Sequence, residues 1–121
     1  MSDEENTRYR IEKPWGWEEI WAQSDKYVGK ILYIKSGHRL SRQYHQVKDE
    51  TIYVQNGNLH LEIGDDEIEI KILSPGASYR IRPGTVHRFA APPSRMPVTL
   101  FEISTPELSD IIRLEDDYER A

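Results

Sequence analysis

From Tyr27 onward the chain alternates apolar and polar residues with a period of two, the signature of strands with one face turned to a core rather than of amphipathic helices. Val28, Lys30, Leu32 and Ile34 share one face of the stretch 28–35, and Glu50, Ile52 and Val54 share one face of 50–55. Leu59, Leu61 and Ile63 alternate with Asn58, His60 and Glu62, and Ile68, Ile70 and Ile72 alternate with charged residues. Each stretch predicts a short, half-buried strand. Turn-forming groups separate them at regular intervals: Ser36-Gly37, Asn56-Gly57, Gly64-Asp65-Asp66, Ser74-Pro75-Gly76, Arg82-Pro83-Gly84 and Pro92-Pro93. Several strands at that spacing, with no long helix between them, predict an all-β antiparallel sandwich or barrel. Thr105-Pro106-Glu107, a capping residue followed by a first-turn proline and an acidic residue, precedes Leu108, Ile111 and Ile112 at helical spacing, so one short C-terminal helix is expected. Residues 1–12 read as a polar arm, and 1–121 as a single domain.

Composition narrows the chemistry. A chain of 121 residues buries roughly two-thirds of its unfolded surface, enough for a real core. Its 16 basic and 21 acidic residues are dispersed and leave a net charge of −5, which argues against duplex nucleic acid, because phosphate binding wants a basic surface. No apolar run approaches the roughly 20 residues that span a bilayer, and the N-terminus MSDEENTRYR is unlike a signal peptide. No membrane partner is expected, and a cytoplasmic location is. The absence of cysteine removes disulfides, zinc–thiolate clusters and thiol nucleophiles together. Any metal must be held by His, Gln, Glu or Asp, a donor set that suits Zn, Mn, Co, Ni or Fe.

Two motifs supply such donors. After Gly37, five residues lead to Gln43-Tyr44-His45, four more to Glu50 and six more to Gly57; after Gly76, five residues lead to Arg82-Pro83-Gly84 and two more to His87. Gln43 and His45, two apart on a strand, point into the same space. A turn can bring Glu50 to face them from an adjacent antiparallel strand, and the Pro-Gly corner can aim His87 inward from a different part of the sheet. Two imidazoles, one carboxylate and one amide oxygen form a donor set with a single negative charge and positions left for water or substrate. Gln43 is the weakest donor of the four and equally suits a structural hydrogen bond. His60 reads as solvent-facing and His38 as a turn residue.

The spacings are those of the two cupin motifs, with Gln43 where the first histidine is usual, Arg82 where a proline is usual and Ala91 where an asparagine often closes the second motif. The stretches KPWGWEEIWA (13–22), KILYIKSGHRLSRQYHQVKDETIYVQNG (30–57), SYRIRPGTVHRF (78–89) and IIRLEDDYER (111–120) resemble more closely the cupin domain of type II mannose-6-phosphate isomerases. That family has a Lys/Arg-Pro-Trp-Gly opening, a Leu-Ser-x-Gln-x-His ligand strand and a closing Arg-Phe-Glu-Asp-x-Tyr-Gly-Arg. Leu114 replaces the phenylalanine and Glu119 the glycine of that closing motif. The resemblance implies a double-stranded β-helix, the jelly-roll cupin barrel, a homodimer, and a divalent metal held by Gln43, His45, Glu50 and His87. It also implies that the domain is usually the C-terminal part of a longer enzyme with a sugar-nucleotide transferase domain.

The activity so implied is aldose–ketose isomerisation of a sugar phosphate, mannose-6-phosphate to fructose-6-phosphate. The proton must move between adjacent carbons, and Glu50, Lys30 or metal hydroxide could each serve as base. Lys30 shares its face with Leu32 and Ile34 and so should point into the barrel, where it could meet a phosphate; Arg120 and Arg88 are the other cations considered, with Arg120 preferred because Arg88 should point away from the face used by His87. A metal-dependent dioxygenase and a non-catalytic sugar-binding cupin are the alternatives. In the latter, Trp15, Trp17 and Trp21 would stack on a ligand, whereas otherwise they would staple the arm or pack at a dimer interface.

Overall fold

The computed structural model describes residues 8–94 and 96–120. Eleven strands run through them: β1 (Tyr9–Lys13), β2 (Gly16–Gln23), β3 (Val28–Ile34), β4 (Arg42–Tyr44), β5 (Glu50–Asn56), β6 (Leu59–Ile63), β7 (Glu69–Leu73), β8 (Ser78–Ile81), β9 (His87–Ala90), β10 (Val98–Ser104) and β11 (Ile112–Glu115). They form a six-stranded sheet in the order β1-β2-β3-β10-β5-β8 and a five-stranded sheet in the order β11-β4-β9-β6-β7, with every pairing antiparallel. This is the expected all-β jelly roll.

The inner face of the six-stranded sheet is graded along the strands. Ile34 pairs with Val98, Leu32 with Leu100, Lys30 with Glu102 and Val28 with Ser104, while on the other side of β10 Val54, Ile52 and Glu50 face Leu100, Glu102 and Ser104. The apolar half of this lattice packs against Leu59, Leu61 and Phe89 of the five-stranded sheet to make the core. The other half carries buried charge: Lys30, Glu50 and Glu102 are all nearly inaccessible. Burying ions costs far more than burying aliphatics unless each is partnered, so this end of the barrel is where chemistry is to be sought.

Gly16 opens β2 opposite Ile34, and a Cβ there would lie 1.9 Å from the Tyr33 carbonyl oxygen. That close approach accounts for the glycine of the Pro-Trp-Gly opening. The three tryptophans divide. Trp15 is in the core, Trp17 stacks on Tyr33 with the Arg10 guanidinium 3.7 Å above its ring, and Trp21 is partly exposed over Gly29. Trp17 thereby ties β1 to the barrel.

Three expectations are corrected. The C-terminal helix does not form: residues 105–111 make tight turns, and Ile112 enters β11 opposite Tyr44. A helix of so few residues has little stability of its own, and here Leu108 and Ile111 serve as walls of a cavity instead. The isoleucine row of β7 faces outward, with Ile68, Ile70 and Ile72 exposed at 41%, 58% and 63%. β7 is an edge strand with Leu73 the part of it packed on the core. Lastly, residues 9–12 of the expected arm belong to β1; residues 1–7 lie outside the described residues. No helix among the described residues is long and apolar enough to cross a membrane.

Candidate metal centre

Gln43 on β4 sits directly opposite His87 on β9 within the five-stranded sheet, and His45 follows just past the end of β4. Glu50 begins β5 and so approaches from the six-stranded sheet. β4 and β5 are therefore not the paired strands that the sequence suggested: the carboxylate, not His87, comes from the other sheet, and the site bridges the two layers. The Gly84 N–H donates to the His45 carbonyl at 2.7 Å, which pins the Pro-Gly corner to the end of β4 and sets His87 beside His45. Their ring centroids are 5.3 Å apart.

His45, Glu50 and His87 are buried, and one donor atom from each lies within 4.8 Å of the others. His45 Nε2 is 3.4 Å from Glu50 Oε2, and His87 Nε2 is 3.6 Å from Glu50 Oε1. The far nitrogen of each ring faces a backbone carbonyl, His45 Nδ1 that of Asp110 at 2.5 Å and His87 Nδ1 that of Thr85 at 2.9 Å. A carbonyl only accepts, so each Nδ1 carries the proton, and a neutral ring then turns its Nε2 lone pair toward Glu50. Both Nε2 atoms and Glu50 Oε1 are buried without a hydrogen-bond partner, and Glu50 Oε2 is met only by the Lys48 ammonium at 3.0 Å. Lone pairs converging in this way repel unless a proton or a cation sits among them, Lys48 meets only one of the four atoms, and unsatisfied buried groups are costly. Burial lowers the His87 pKa, which disfavours the proton there. The donors fit a divalent cation: atoms about 2.1 Å from one tetrahedral ion stand about 3.4 Å apart, close to the spacing seen.

Burial also works against ionising Glu50, but His45, the Lys48 ammonium and His87 together hold its carboxyl down at about 2. Gln43 Oε1 accepts a hydrogen bond from Ser41 Oγ at 3.1 Å and lines the cavity beside the triad. That cavity, of about 110 Å³, has room for several waters. Around it stand Lys13, Lys30, Lys48, Arg113 and Arg120, facing Glu18, Glu50 and Glu102. Lys30 points inward as its alternation predicted, with Nζ 3.1 Å from Glu18 Oε2. Arg120 is held by Asp116, which accepts from its Nε at 2.8 Å and its Nη2 at 3.2 Å. Arg88 is fully buried but lies away from the cavity, donating to the Leu40 and Glu115 carbonyls. Its role is to seat β11, and it drops out as a phosphate contact. His38 and His60 do not line the cavity.

Sequence reasoning missed Lys48, Glu102 and Glu18. Lys48 reads as part of a solvated turn, yet it is 5% exposed, 3.0 Å from Glu50 Oε2 and 3.2 Å from Glu102 Oε2. Burial pulls its pKa down, but the two carboxylates more than compensate and raise it. Glu102, enclosed on all sides, has its pKa raised by burial, with the nearby Glu50 charge adding to the effect. Its inward position was open to the same alternation argument as Lys30, since Val98, Leu100, Glu102 and Ser104 share a face.

A family model described as mannose-6-phosphate isomerase C-terminal matches residues 1–116. The chain belongs to this mannose-6-phosphate isomerase C-terminal family. Among curated proteins, it is 30% identical over 120 residues to a mannose-1-phosphate guanylyltransferase of Escherichia coli, covering 97% of this chain and 24% of that protein. It is 29% identical over 114 residues to the xanthan biosynthesis protein XanB of Xanthomonas campestris pv. campestris, covering 92% of this chain and 24% of that one. The chain thus spans about a quarter of the length of these relatives. Among solved structures, the capsular polysaccharide assembling protein CapF of Staphylococcus aureus superposes with a TM-score of 0.79 at 18% identity, over 93% of this chain and 33% of that one, a likeness of fold.

Where the mannose-6-phosphate isomerase C-terminal family resemblance placed a glycine, Glu119 adopts φ 57°, the only non-glycine residue with positive φ among the described residues. A side chain in this region costs about 1–2 kcal/mol, part of which glycine returns as unfolded-state entropy. Glu119→Gly should therefore keep the fold and raise stability by up to about 1 kcal/mol, read as a higher thermal midpoint. A lower midpoint would show that the Glu119 side chain contributes contacts that outweigh its backbone strain.

Proposed function

We propose that this domain is a metal-dependent sugar-phosphate isomerase interconverting mannose-6-phosphate and fructose-6-phosphate. The observation that carries the reading is the buried His45–Glu50–His87 cluster, both Nε2 atoms and Glu50 Oε1 without a hydrogen-bond partner, reached through His45 and Glu50 from a cavity rich in lysine and arginine, in a chain of the mannose-6-phosphate isomerase C-terminal family. His45, Glu50 and His87 would hold the ion, with Gln43 as fourth ligand. A divalent ion there supplies Lewis acidity toward the carbonyl and hydroxyl oxygens of an aldose or ketose.

The chain's own groups divide the remaining work. Lys30 and Arg120 bind the phosphate: Lys30 shares Glu18 with Lys13, so the two lysines and one carboxylate leave a net positive charge at the cavity wall, and the Asp116 fork fixes the Arg120 guanidinium. Of the three carboxylates at the cavity, Glu50 would be committed to the ion and, like Glu102, is paired with Lys48, so Glu18 is the one assigned here to take a proton from one carbon and return it to its neighbour. Leu108, Ile111 and Trp15 narrow the access of water. The expected homodimer would cover the apolar outer face of the six-stranded sheet, where Trp21, Tyr53, Phe101 and Ile103 are exposed. A cytoplasmic location fits a sugar-phosphate substrate.

The test is direct. Protein purified without an affinity tag and stripped with chelator should show no conversion of mannose-6-phosphate, and turnover should appear on adding Mn, Co or Zn. Oxygen uptake with ferrous iron and no isomerisation would instead favour a dioxygenase; saturable sugar-phosphate binding without turnover would favour a binding module.

A further inference from the structure

His45 is oriented by a segment that holds no candidate ligand. Residues 105–111 run from the end of β10 to the start of β11, and Asp110 near their end grips four consecutive residues of the β4–β5 connection. Its Oδ1 accepts the Gln46 N–H at 3.0 Å, its Oδ2 accepts the Val47 N–H at 2.7 Å and the Lys48 N–H at 2.9 Å, and its backbone carbonyl accepts from His45 Nδ1 at 2.5 Å. We infer that Asp110 is a positioning residue of the metal centre: its carboxylate fixes the turn 46–48 against the strap, and its carbonyl thereby fixes the tautomer and tilt of His45.

The physical reason is the sharing of one residue between two jobs. Three charge-assisted bonds from successive N–H groups hold the turn to the carboxylate far more firmly than a neutral acceptor would. While they hold, the carbonyl on the same residue cannot drift from Nδ1, so Nε2 keeps its lone pair toward Glu50. The same three bonds set Lys48, and with it the cation that faces Glu50 and Glu102. A ligating histidine depends on the acceptor behind it, and loss of such a partner typically weakens metal binding 10–100-fold. The depressed pKa of Asp110, at about 2 and caused chiefly by the Lys48, Val47 and Gln46 N–H groups, agrees with a carboxylate that stays ionised wherever the site could be loaded.

This inference rests on the metal reading above, so its test separates the two. Zinc is titrated by chelator competition into the metal-free full chain, its D110A and D110N variants, and D117N, which loosens the Arg39–Asp117 pair on the outer face of the barrel. In parallel, imidazole ¹⁵N spectra of the metal-free proteins report the His45 tautomer. The expected result is a 10–100-fold loss of zinc affinity in D110A, a smaller loss in D110N, wild-type affinity in D117N, and a His45 signal that moves from the pure Nδ1–H form toward a tautomer mixture in the Asp110 variants alone. Wild-type affinity together with an unchanged His45 signal in both Asp110 variants would overturn the positioning role. Should D110A fail to fold, D110N decides on the same two readouts. Should the wild-type chain bind no zinc, manganese or cobalt, the metal reading falls, while the His45 spectra still judge Asp110.

Discussion

Glu50→Gln should abolish the gain in thermal stability that zinc or manganese gives the wild-type domain, and should lower the stability of the metal-free protein as well. The two halves of this result have one cause. Without an ion, the Glu50 carboxylate lies 3.4 and 3.6 Å from the His45 and His87 Nε2 atoms and is charge-paired only with the Lys48 ammonium at 3.0 Å. A glutamine of the same shape offers an amide N–H to one imidazole but removes the charge that faces the buried Lys48 ammonium, so the metal-free centre loses stability. The loaded centre loses its one charged ligand, which must cost more than the 10–100-fold typical of losing a supporting group. At a metal concentration one hundred times the wild-type dissociation constant, binding adds about 2.7 kcal/mol to stability, and this increment should vanish. Differential scanning with and without metal reads both halves; a variant still stabilised by the ion would remove Glu50 from the site.

The pH dependence of the metal-free wild type follows from the same groups. Glu50 titrates at about 2 in the folded chain against an ordinary value of 4.5. Its contribution to stability is therefore complete above about 4.5 and is lost as the pH falls toward 2. His87, lowered by burial, adds a loss beginning higher, as the unfolded imidazole takes up a proton below about 6.5 that the folded one resists. At neutral pH, protons therefore compete only weakly with a metal for either group.

Much of this centre could be read from residue spacing, and what escaped has a common physical origin. Period-two alternation showed that Lys30 shares a face with Leu32 and Ile34, and the structure buries all three. The same rule names two faces but not which one meets the core. For β7 the apolar face turned outward, because an edge strand can leave isoleucines exposed while Leu73 alone reaches inward. Spacing also aligned His45, Glu50 and His87, yet could not tell that Glu50 arrives from the opposite sheet, since that depends on β5 pairing with β10 rather than β4. The helix signal at Thr105-Pro106-Glu107 was locally sound and lost to tertiary demand: the strap must pass Asp110 across the β4–β5 turn and deliver Ile112 to β11. Lys48 escaped for a related reason. A lysine in QVKDE reads as solvated unless Glu102, from a strand far along the chain, is known to lie against it.

Lys48→Met should be the most destabilising single change at the polar end of the barrel, by about 3 kcal/mol in the metal-free domain at pH 7, the lower part of the range for breaking a buried ion pair. The ammonium is the common neighbour of Glu50 and Glu102, at 3.0 and 3.2 Å, and methionine fills the space while leaving both carboxylates buried without it. Glu102 limits the damage by taking up a proton, as its burial already favours. A carboxyl whose folded pKa lies above its unfolded one is stabilising in acid and loses that stability as the pH rises through the folded value. The deficit of Lys48→Met should therefore be smallest below about 4.5, the ordinary glutamate value, and grow as the pH rises above it in chemical denaturation. Metal should restore part of it, because a divalent ion takes over the neutralisation of Glu50. Adding Glu102→Leu to Lys48→Met removes the stranded acid and should recover most of the remainder, so that the two substitutions together cost less than Lys48→Met alone. Costs that merely add, or a deficit that does not change with pH, would show that Lys48 and Glu102 are neighbours without being partners.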